Sequence, residues 1–87
     1  MAIVLVEQRL SPGVTPAELE RALEGNSWCR ELHRVRNLES FFEIGGRRER
    51  LLCVFEAPDA EAVRSVARRM GYRYQGLWTA ARIDPST

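Results

Sequence analysis

Residues 51–71, LLCVFEAPDAEAVRSVARRMG, restrict the possible folds more than any other stretch of the chain. Leu51, Leu52, Cys53, Val54 and Phe55 run without a polar break, which predicts a strand with apolar neighbours on both faces. Pro58 ends that strand, because it has no N–H for a ladder and biases Ala57 towards an extended shape. Asp59 stands where its carboxylate can cap the first free N–H groups of a helix. Val63, Val66, Ala67 and Met70 then recur at helical spacing, and Gly71 can take the left-handed conformation that closes a helix.

The N-terminal residues 2–9 predict a second strand of the same kind. Ile3, Val4, Leu5 and Val6 are apolar on both faces before Glu7, Gln8 and Arg9 turn polar. Ser11, Pro12 and Gly13 are turn chemistry. Thr15, Pro16, Ala17 and Glu18 form a capping box with proline at the first helical position, and Leu19, Ala22 and Leu23 supply the apolar stripe. Gly25 and Asn26 weaken this helix. A further helical turn is expected over residues 28–33, with His33 near its end. A strand over residues 34–44 follows, with Val35, Leu38, Phe41, Phe42 and Ile44 as packing residues and a bulge near Ser40. Gly45-Gly46 predicts a two-residue hairpin turn. The last strand is expected over residues 75–83, with Leu77, Trp78, Ala80 and Ile83 as candidates for burial.

The order β-α-β-β-α-β is the split pattern of ferredoxin-like α+β domains, a four-stranded antiparallel sheet with two helices on one face. Its first and third strands occupy the centre of the sheet, and these are the two strands with unbroken apolar runs. Two helices cover one side only, so the other face is left apolar in a monomer. A second copy packed sheet to sheet cures this, giving a homodimer shaped like a dimeric α+β barrel. With 87 residues, the chain reads as a single domain over 1–87, whose small core is expected to bury roughly 60% of the unfolded surface.

Composition removes several function classes. Hydrophobic content of 45% against 29% charged residues fits a globular chain rather than a disordered one. The opening apolar run is too short to span a bilayer and has no basic leader, which makes the cytoplasm the expected location and gives no membrane role. A net charge of +1 exerts no general pull on nucleic acid. All 13 basic residues are arginine, which excludes Schiff-base lysine chemistry and a P-loop. The topology is shared with RNA-binding RRM modules, but the third strand is aliphatic where they carry stacking aromatics, so RNA binding is not expected.

Cys29 and His33 are four residues apart, on one face of any continuous helix. With Cys53 from the central strand they would make a soft nitrogen and sulfur set of the sort that takes nickel, copper or zinc. Glu56 and Glu7 are further candidate ligands. The competing reading has His33 stabilising a helix end, the thiols filling core and the two glutamates as charged strand ends. Glu39 and Glu43 share a face of the second strand and could serve acid–base work, or face water and pair with Arg36. Arg47, Arg48 and Arg50 cluster at the hairpin tip, either as an anion grip or as a solvated charge run. Trp28, Tyr72, Tyr74 and Trp78 suffice for a small pocket, or for core and dimer-rim packing.

The segments Trp28-Cys29…His33-Arg34-Val35-Arg36 and Arg48…Leu51-Leu52-Cys53-Val54-Phe55-Glu56-Ala57-Pro58-Asp59-Ala60-Glu61-Ala62-Val63-Arg64 resemble a family of small bacterial proteins of unknown function. That family includes nickel-binding members with a dimeric ferredoxin-like α+β barrel. The resemblance runs from Ile3 to about Trp78 and implies the fold, the dimer and a divalent-metal habit. Gly71, Tyr72, Arg73, Tyr74 and Gln75 depart from its pattern. The chain is therefore expected to be a homodimeric binding protein holding a divalent transition metal such as nickel, with Cys29, His33, Cys53 and Glu56 as metal ligands. Its small-molecule ligand is not specified by the sequence. The alternative is a small cofactor-free enzyme, of monooxygenase or isomerase type, with its pocket between sheet and helices; no catalytic residue set supports it.

Overall fold

The computed structural model describes residues 1–11, 13–25, 33–47 and 49–85, with the side chains of residues 22–25 outside the description. Four strands, β1 (Ala2–Arg9), β2 (Arg36–Phe42), β3 (Arg50–Ala57) and β4 (Gly76–Ala80), form one antiparallel sheet in the order β2-β3-β1-β4. Helix α1 (Pro16–Gly25) joins β1 towards β2, and α2 (Ala60–Met70) joins β3 to β4. The ferredoxin-like order and the central placement of β1 and β3 are as expected from their apolar runs.

Alternation divides the sheet into two faces. Val4 and Val6 of β1, with Leu51, Cys53, Phe55 and Ala57 of β3, point to the helix side and form the core with Val35, Val63 and Val66. Helix α2 docks there through Val63, Val66 and Ala67. The Asp59 carboxylate accepts a hydrogen bond from the Ala62 N–H (2.9 Å) at its start, and Gly71 ends it at φ 70. Helix α1 begins in the expected capping box: Glu18 N–H donates to Thr15 Oγ1 (3.3 Å) and Thr15 N–H donates to the Glu18 carboxylate (3.0 Å). Leu19 packs against the same core.

Four details differ from the sequence reading. Strand β2 is shorter than residues 34–44, although its bulge, between Asn37 and Glu39, falls near Ser40 as expected. The β2–β3 connection is longer than a two-residue turn. Glu43 N–H still donates to the Arg50 carbonyl (3.0 Å), which closes this longer connection, and Gly46 within it is at φ 64. Strand β4 stops at Ala80, leaving Ile83 81% exposed, and Ile44 is equally exposed beyond β2. Strand β3 is buried on one face only, since Leu52, Val54 and Glu56 are half-buried.

Candidate functional site

His33 sits in a turn ahead of β2 and is half-buried. Its Nε2 is fully buried and has no hydrogen-bond partner among the described residues. Arg34, which follows it, is at φ 59, a left-handed conformation costing a side chain about 1–2 kcal/mol. Turn and imidazole are thus held in place by surrounding packing rather than by local preference. Native proteins rarely leave such a nitrogen unpaired, because the desolvation is uncompensated.

Among the described residues, the candidate ligands Cys53 and Glu56 do not gather around it. Cys29 and Trp28 lie outside the described residues, as does most of the helical turn expected over 28–33. Cys53 is 3% exposed in the core, where its sulfur accepts a hydrogen bond from Ser40 Oγ (3.4 Å). The register pairs Ser40 with Cys53 and Arg36 with Glu56, so the strand position leading back to His33 lies about 10 Å along β3 from Cys53. Glu56 projects from the opposite face of β3, and one ion cannot bind both it and Cys53. Among the described residues no three histidine, cysteine, aspartate or glutamate side chains could share a metal ion.

The other sequence candidates are occupied or separated. Glu7 accepts a hydrogen bond from Arg50 Nε (2.9 Å) on the open face, and this bond, with the negative charge behind it, raises the guanidinium pKa further. Glu39 is exposed on that face, whereas the Glu43 carboxylate accepts from the Glu49 N–H (3.3 Å), so the two do not form an acid–base pair. Arg47 is exposed at the hairpin, and Arg48 lies outside the described residues. Tyr72 is on the helix side, while Trp78 is 42% exposed on the open face opposite Leu5. Tyr72 and Trp78 therefore share no pocket.

Between the sheet and the helices lies a cavity of about 340 Å³, lined mainly by core side chains including Leu19, Cys53, Phe55 and Val66. His33 is not among its described lining residues, so the histidine-lined pocket that would favour the enzyme alternative is not formed by them. Gln8, Ser11 and Arg73 reach it from β1, the following loop and the segment after α2. Sequence periodicity could not locate this space, because it arises from how the helices rest on the sheet.

A two-layer α+β domain whose described residues leave one sheet face open and a buried imidazole nitrogen unpartnered is thus the class of protein that fold and site define. Residues 5–79 match the family model described as nickel responsive protein SCO4226-like, and the chain belongs to that family. Its fold is similar to that in the crystal structure of SCO4226 from Streptomyces coelicolor A3(2), with a TM-score of 0.81 and 20% identity over 95% of this chain and 100% of that one. It is also similar to the X-ray structure of Atu4242 from Agrobacterium tumefaciens, with a TM-score of 0.58 and 16% identity over 98% of each chain. No curated protein matches the sequence.

Proposed function

We propose that the protein is a homodimeric nickel-binding protein in which His33 supplies the nitrogen ligand. The observation that carries this reading is the buried Nε2 without a hydrogen-bond partner among the described residues. A neutral imidazole offers that lone pair to a divalent cation, and imidazole with thiolate suits nickel. The family description, nickel responsive, supports the choice of metal. Cys29, four residues earlier, is the proposed sulfur ligand. Cys53 packs in the core beside Ser40 and Glu56 lies on the opposite face of β3 from it, so these two do not share one ion. The described residues alone do not complete a site, so further ligands come from outside them, from a second copy or from water. A bound ion would supply a crosslink that steadies the segment entering β2.

Titration calorimetry with nickel chloride on tag-free protein tests this. His33→Ala should abolish saturable binding, and binding to the unaltered protein should weaken on acidification, since a protonated imidazole has no lone pair to give. Equal binding before and after the substitution would sink the proposal.

The homodimer rests on the open face. Ile3, Leu5, Leu52, Val54, Phe41 and Trp78 lie there, with Phe41 55% exposed.

A further inference from the structure

We propose that the cavity between the sheet and α2 binds a small apolar carboxylate, with its hydrocarbon body in the core and its charge at Arg73. At about 340 Å³ the cavity is in the range of small-molecule sites, and more than twice the size of an engineered apolar cavity that takes benzene. Its floor is apolar: Val6, Leu51, Cys53 and Phe55 from the sheet, Val63 and Val66 from α2. Polar groups lie at the end of β1 and in the segments that follow β1 and α2, Gln8 and Ser11 on one side and Tyr72 and Arg73 on the other.

The charge at this rim has one sign. No acidic side chain is among the described lining residues, and Arg73 makes no ion pair among the described residues. Arg9 also borders the space, but alternation along β1 sends its side chain towards the open face with Glu7. The backbone on either side of Arg73 is anchored. The Tyr72 N–H donates to the Ala67 carbonyl of α2 (2.9 Å), and the Gln75 N–H donates to the Glu7 carbonyl of β1 (2.7 Å). A cation at the rim of an apolar chamber recognises a molecule that is greasy at one end and anionic at the other. Arg73 also lies near the negative end of the α2 dipole, which would attract it without any ligand. A neutral ligand of equal length separates the two roles.

The probes are octanoate and 1-octanol, titrated into the full chain and followed by amide shifts in NMR. Octanoate should bind saturably and shift Cys53, Val63 and Val66 while sparing Val54 and Trp78. Arg73→Gln should weaken octanoate about tenfold, as loss of a charge-assisted bond does, and leave 1-octanol unchanged. Ala67→Leu, which fills the chamber from α2 with a good helix former, should weaken both ligands at least tenfold. Absence of saturable binding in the unaltered chain, shifts confined to the open face, or octanoate affinity indifferent to Arg73→Gln would each overturn the proposal. Because the shift map uses the unaltered chain, it decides the matter even if Ala67→Leu does not fold.

Discussion

On β3 the side chains of Leu51, Cys53, Phe55 and Ala57 are at most 8% exposed, while their neighbours Leu52, Val54 and Glu56 are only half-buried. Strand β1 divides in the same way, Val4 and Val6 against Ile3 and Leu5. As residue types the two faces are nearly equal. They differ because α2 and Leu19 of α1 cover one face, and nothing in the chain's described residues covers the other. Burial is therefore decided by what arrives from elsewhere, and an apolar face without a cover is where a partner gains most from packing.

The strongest way to break this comparison is to put the same charge on each side. Cys53→Asp places an unpaired carboxylate in the core, a cost of several kcal/mol that is comparable with the whole stability of so small a domain. It should abolish the cooperative melt seen by circular dichroism. Val54→Asp, one residue away, should leave the fold and its helical signal intact while lowering the light-scattering mass from near twice 10.0 kDa to a single chain. A monomeric unaltered protein would remove the dimer, and unfolding of Val54→Asp to the same extent as Cys53→Asp would erase the distinction between faces.

Smaller changes sharpen the difference between the two covering helices. Asp59→Ala strips the cap from the docked helix α2 and should cost about 1 kcal/mol in a denaturant melt. Thr15→Ala opens the capping box of α1, whose described hold on the core is Leu19, and should cost about 0.5 kcal/mol. Equal costs would mean that α1 is docked as firmly as α2. The smallest effect is expected at Glu61. A hydrogen bond from Arg68, aided by the charges of Arg68 and Arg64, holds this carboxyl below its ordinary range. Its small stabilisation is present above the unfolded carboxylate value and lost as pH falls through the folded one. Glu61→Gln should therefore flatten the acid limb of the melting curve slightly, with no change in mass.

The sequence by itself determined the elements that carry their own signals. The capping box at Thr15, the cap at Asp59, the closing Gly71 and the unbroken apolar runs of β1 and β3 each act within a few residues, so each could be read without the fold. The central placement of β1 and β3 followed from those runs, because a strand apolar on both faces belongs in the middle of a sheet. The candidate ligands were legible only as residue types. The pleat sends Cys53 and Glu56 to opposite faces, the ladder sets about 10 Å between Cys53 and the strand position leading to His33, and only packing buries the imidazole nitrogen away from a partner among the described residues. The loop between β2 and β3 is longer than the two-residue turn its glycines suggest, because Gly45-Gly46 permits a tight turn without requiring one. The cavity, and the placing of Arg73 at its rim, belong wholly to tertiary structure: they depend on the gap between two elements, and no periodicity within either one encodes a gap.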